Sequence, residues 1–192
     1  MMEKANAVDS CGATLIKCTG VTEQARAHGR YHVKCFRDGQ LLWEDVIENV
    51  VTTVGKNLAL DTYLSGVAYT VNGPYMGLIS DISFTGVNAG DTMALHAGWL
   101  EAGGANAPVY SGGRKVAVFS PAAGGSKTLS AVLGFNFTGA GTVKGCFLLF
   151  GAGATSTIDN TGGTLYSAGL FTSGDKVVAS SDRLEVTYTA GL

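Results

Sequence analysis

Proline is nearly missing from this chain, with three in 192 residues, and charge is thin, with Asp, Glu, Lys and Arg making up 15%. Few prolines beside 46% hydrophobic residues exclude a disordered or polyproline chain. No run approaches the roughly 18 consecutive apolar residues of a membrane-spanning helix. The start, Met1-Met2-Glu3-Lys4-Ala5-Asn6, leads into no apolar segment, so neither a span nor a secretory leader is expected. Cysteine is sparse too. Cys11, Cys18, Cys35 and Cys146 contain no Cys-x-x-Cys pair, which excludes a zinc ribbon and leaves any disulfide pairing open. Cys35 and Cys146 lie in strand-like runs and read as buried thiols, whereas Cys11 and Cys18 sit in a polar leader. The net charge of −2 offers no broad basic surface for phosphates, so nucleic acid is not an expected partner. The nearest approach is Lys17 to Lys34, with Arg26, His28, Arg30 and His32, and it reads as a solvated face interrupted by Glu23.

Chemistry-bearing patterns are equally scarce. No Gly-x-Ser-x-Gly elbow is present. Gly55-Lys56 is followed by Asn57 rather than Ser or Thr, and Ser126 separates Gly125 from Lys127, so neither segment is a phosphate loop. Glu44, Asp45 and Glu48 invite a glycosidase reading, but neighbours on a strand point to opposite faces. A solvated edge is the simpler account of that cluster. His28, His32 and His96 lack a partner at ligand spacing, and His96 reads as a helix-end hydrogen-bond donor. Trp43, Trp99 and Tyr110 could stack on a sugar. Trp43 follows Leu41-Leu42 and is expected to be buried, whereas Trp99 and Tyr110 are expected at the surface beside a Gly-rich loop over 101–113. No catalytic, cofactor-binding or metal-ligating residue is assigned, no cofactor is called for, and the chain is not expected to be an enzyme.

Glycine is what the chain has in plenty, at 28 residues, about double ordinary usage. With Thr, Ser, Val and aromatics it suits many strands joined by tight turns. Leu129, Ala131, Leu133, Phe135 and Phe137 alternate along one run, and Leu184, Val186 and Tyr188 alternate along another, the period of half-buried strands. Asp38-Gly39 between two apolar runs predicts a hairpin. A helix is predicted over about 53–65, capped by Thr53, with Val54, Leu58 and Leu64 on one face and Gly66 as its stop. One or two helical turns capped by Asp91 are predicted over 91–97. Strands are predicted over 74–79, 115–120, 128–138, 142–150 and 164–171, with a strand or hairpin over 176–189. The expected fold is mainly β, an antiparallel sandwich of jelly-roll or immunoglobulin-like type over residues 29–192, its helix covering one edge or end. Residues 1–28, with Ala13-Thr14-Leu15-Ile16 as their apolar stretch, read as an extended N-terminal arm.

Several stretches resemble a family of uncharacterised virion proteins of tailed bacteriophages. They are Trp43-Glu44-Asp45 through Glu48-Asn49, Val51-Thr52-Thr53-Val54-Gly55-Lys56-Asn57, Tyr75-Met76-Gly77-Leu78-Ile79, and Ala89-Gly90-Asp91-Thr92-Met93 with His96-Ala97-Gly98-Trp99. Gly145-Cys146-Phe147-Leu148, Leu165 to Phe171 and Leu184 to Thr189 complete the likeness. One departure stands out, Ser181-Asp182 where relatives commonly show Gly-Asp. The resemblance implies a virion structural protein, assembled in the host cytoplasm, foremost a capsid decoration or cement protein bound to the major capsid protein. A tail, neck or fibre component and a carbohydrate-binding adhesion module are the alternatives. Self-association as a trimer or dimer is expected, with the arm docking on an adjacent subunit near Cys11 or Cys18.

Overall fold

The computed structural model describes residues 26–64 and 72–191. Among them the chain forms ten strands and one helix. The strands are β1 (His28–Arg37), β2 (Gln40–Val51), β3 (Tyr75–Ser80), β4 (Lys115–Val116) and β5 (Ser126–Thr128), then β6 (Leu133–Asn136), β7 (Gly141–Phe150), β8 (Thr164–Phe171), β9 (Lys176–Val178) and β10 (Arg183–Gly191). The helix α1 spans Thr53–Leu64. All strands belong to one sheet in the order β4-β3-β7-β8-β2-β1-β10-β5, with β6 also on β10 and β9 also on β7. Every pairing is antiparallel.

The sheet curls into a half-barrel because one segment bonds to both of its flanks. The Ala117 N–H donates to Pro74 at the start of β3, while Ser120 N–H donates to Thr128 and Ser130 N–H to Val118 at the β5 side. Tyr110 bridges to Phe137 in the same way. The inside of the curl holds the larger core, in which Tyr31, Val33 and Cys35 of β1 and Leu184, Val186 and Tyr188 of β10 meet Met76 and Leu78 of β3 and Cys146 and Leu148 of β7. Strict alternation along β1 and β10 puts the charged residues outside. β7 is apolar on both faces, so its back needs a second cover. Phe147, Leu149 and Ile79 find it in Met93 and Trp99 from the turn-rich segment after β3 and in Ala154 from the loop after β7.

Local sequence accounts for most element boundaries. Asp38 and Gly39 have φ of 50° and 77°, the left-handed pair that a two-residue hairpin turn requires. The helix begins where predicted, but Thr52 caps it, its hydroxyl accepting the Gly55 N–H at 3.1 Å while donating to the Leu165 carbonyl. Thr53 is instead the first helical residue, and Leu64 is exposed rather than on the packed face. The predicted stop, Gly66, lies outside the described residues. So does the arm, apart from Arg26, Ala27 and His28, the last of which already belongs to β1.

Four predicted segments differ, the shortest being 115–120, of which only Lys115–Val116 is strand, with Phe119 making an isolated bridge to Leu129. The run 128–138 is two short strands, because pairing jumps from Thr128↔Thr189 to Leu133↔Val186. Residues 130–132 bulge out, drawn by the Ser130–Val118 bond, and Ala131 is exposed instead of facing inward. Residues 91–97 make tight turns and no helix, because the Asp91 carboxylate accepts the Asn88 N–H and the Trp99 indole N–H, both at 2.9 Å. Residues 176–189 are not a hairpin: β9 pairs with β7 and β10 with β1.

Candidate functional site

One end of the half-barrel, where β7 and β10 finish and β1, β3 and β8 start, opens into an apolar groove of about 240 Å³. Leu148 and Tyr188 form its floor, and Phe150, Tyr166 and Phe119 form its walls. Pro74, Ala190 and Lys127 stand at the rim, with Lys127 exposed on β5. The floor is braced by aromatic contacts. The Tyr31 and Tyr188 rings lie 4.4 Å apart, and Phe119 meets Tyr188 edge-on at 6.1 Å. Tyr188 lies across β1 only because residue 29 is glycine; a β-carbon there would sit 2.0 Å from the phenol oxygen. That oxygen accepts the Asn49 side-chain amide at 2.9 Å, and the Tyr31 hydroxyl bonds to Ser167 at 3.1 Å. Burial raises the Tyr31 and Tyr188 phenols well above their ordinary range. They are therefore neutral, and the groove offers shape and apolar surface rather than acid–base chemistry.

The buried charged side chains are committed to holding chain segments together, whereas the buried Tyr110 hydroxyl and Asn49 Oδ1 make no hydrogen bond among the described residues. Glu101 and Arg114, both fully buried, make two bonds of 2.9 and 2.7 Å. Glu101 also accepts the Asp159 N–H, and Arg114 donates to the Asn160 carbonyl, so this pair ties the loop after β3 to the loop after β7. Asp45 accepts from Val46, Thr172, Ser173 and Lys176. Burial acts to raise its pKa, but Lys176 and these donors outweigh it and hold the carboxyl well below the usual carboxylate range. Asp182 takes both ends of the Arg37 guanidinium at 2.6 and 2.8 Å, which lowers its pKa too.

The residues singled out by sequence fall apart as a site. Glu44 and Asp45 do point to opposite faces, but Asp45 is buried rather than on a solvated edge, while Glu44 faces Lys34 and His32 outside. Glu48 pairs with Arg30, so Arg30, His32 and Lys34 of β1 are matched across the strand by Glu44 and Glu48 of β2. Trp99 and Tyr110 are 1% and 3% exposed, so the expected surface platform does not form. Trp99 packs between His96, stacked at 3.9 Å, and Phe147 at 5.1 Å; His96 Nδ1 bonds to the Trp99 carbonyl at a turn, not at a helix end. Trp43 is half-buried against Phe171. Cys35 and Cys146 are buried free thiols. Among the described residues no group of three His, Cys, Asp or Glu side chains is placed to hold a metal ion. The groove itself was missed because its residues come from separate segments, each of which reads as ordinary core; its only signal is the aromatic residue closing β7 and the one near the start of β8. No protein family, no curated protein and no solved structure matches this chain.

Proposed function

We propose that this chain is a non-enzymatic structural protein of a tailed-phage particle, and that it serves as a decoration or cement protein on the assembled head. The observation that carries this reading is the division of labour among its side chains. Buried charged groups are used up in fixing loops, while large aliphatic residues are turned outward, among them Val116, Val118, Val132, Val177, Leu41 and Leu42. Such surface is what contacts between copies, or with a repeating lattice, use. We read the curl as the expected sandwich, with β1, β2 and β10 as one layer, β3, β7 and β8 as the other, and the larger core between them.

On this reading the protein binds the major capsid protein and self-associates, most simply as a trimer at threefold positions. Many weak, repeated contacts stabilise a closed shell by mass action. Sedimentation and cryo-electron microscopy of purified particles test it. Density for the half-barrel on the head lattice is the expected result; density confined to neck or tail, or absence of the chain from the particles, overturns the cement assignment. Among the described residues no helix is long and apolar enough to cross a membrane.

A further inference from the structure

We propose that Asn72 is a modification site at which the folded chain deamidates spontaneously, the Gly73 amide closing on the Asn72 side chain. The pair stands just before β3 and is the only Asn-Gly in the sequence. Residue 73 has to be glycine: its φ is 87°, and a β-carbon on it would lie 2.8 Å from the Tyr75 ring. No side chain therefore shields the residue-73 nitrogen, and among the described residues its N–H donates to no acceptor. The same peptide group is polarised from its other end, because the Asn72 carbonyl accepts the Gly151 N–H at 2.9 Å. Accepting there draws electron density from the nitrogen and makes the Gly73 proton easier to lose. The Asn72 carboxamide is exposed and makes no hydrogen bond among the described residues, so it is free to turn onto that nitrogen. Asn49, Asn106 and Asn160 have their side chains in hydrogen bonds, and every other asparagine precedes a residue whose β-carbon crowds the attack.

In the step the Gly73 nitrogen gives its proton to solvent, and its electron pair forms a bond to the Asn72 carboxamide carbon. The bond from that carbon to Nδ2 breaks, and Nδ2 takes a proton from water and leaves as ammonia. Water then opens the cyclic imide at one carbonyl or the other, leaving aspartate or isoaspartate and an added negative charge. The isoaspartate product routes the main chain through the former side chain, longer by a methylene, just ahead of Pro74. The Pro74 carbonyl holds the Ala117 N–H at 2.8 Å, one of the bonds that curl the sheet, so conversion loosens the half-barrel there. This inference stands apart from the phage reading, since it concerns the covalent chemistry of one chain.

Ageing the full, folded chain in mildly alkaline buffer tests it, with peptide mass spectrometry and isoaspartate detection as the readout. The peptide carrying Asn72 is expected to show the mass change from amide to acid before any other asparagine does, with isoaspartate at that position. Asn72→Gln should abolish the early conversion, because its longer side chain closes a larger ring and reacts far more slowly, while circular dichroism shows both chains equally folded. Gly73→Ala is no substitute for it, since the strain at φ 87° threatens the fold itself. Asn72 left intact while another asparagine converts overturns the proposal. Conversion that occurs only in denaturant also overturns it, because the fold then protects the site. Amide exchange at Ala117 is expected to quicken in the converted fraction, and unchanged exchange there overturns the loosening.

Discussion

Ser181 sits at φ 76°, in the left-handed region that costs a residue with a β-carbon about 1 kcal/mol. The Ser181 side chain is exposed. Ser181→Gly is expected to raise stability by about 0.5–1 kcal/mol in a denaturant titration. The opposite sign is expected at residue 29, where Gly29→Ala forces Tyr188 off β1 and costs about 1–3 kcal/mol. Glu101 and Arg114 give a sharper test. Glu101→Gln leaves a buried guanidinium short of its counter-charge and should cost about 3–5 kcal/mol, whereas Glu101→Leu with Arg114→Met should cost less than the sum of the single changes. Burial pushes the Cys35 thiol up to about 11 and Cys146 higher still. Neither should react with a thiol reagent at pH 8 until the protein is unfolded, as labelling followed by mass spectrometry would show.

At the scale of elements, Thr52 joins α1 to the start of β8 with one hydroxyl that both accepts and donates. Thr52→Ala is expected to cost about 1–2 kcal/mol and to speed amide exchange in the first turn of α1, while Thr52→Ser keeps both bonds. The same region shows what the sequence could tell. Helix 53–64, the Asp38-Gly39 turn, and strands β7, β8 and β10 were legible because each is settled by local pattern: period two, a left-handed turn pair, or a cap within one residue. The split of 128–138 was not, because the alternation there is intact and only a distant partner, Val118, pulls Ser130 out of line. Trp99 was misread for a related reason. Its small and polar neighbours suggest a surface loop, yet Asp91 supplies the indole with an acceptor and the exposed back of β7 supplies a surface to cover. The groove was illegible for the same cause, since it exists only once the ends of β7 and β10 meet the starts of β3 and β8.

For the molecule as a whole, acid is the expected weak point. Asp45 and Asp182 both have pKa values lowered by their partners, so they bind protons more tightly unfolded than folded. Their contribution is complete above the ordinary carboxylate range, near pH 4, and is lost as pH falls below it. Denaturant midpoints measured from pH 6 to pH 3 should therefore decline, and Asp45→Asn should flatten that decline while lowering stability at pH 7 by about 2–3 kcal/mol. The pairing of β1 with β10 has a consequence in time. Tyr31, Val33 and Cys35 are translated early, but the strand that shelters them spans Arg183–Gly191. At ordinary synthesis speeds the β1–β2 hairpin waits roughly 8–30 s for its partner, with its inward face bare. A nascent chain stalled before residue 183 is thus a sticky hairpin with no completed core, which makes the hairpin a ready target for chaperones and makes refolding from denaturant slow in the manner of sheets closed by distant strands.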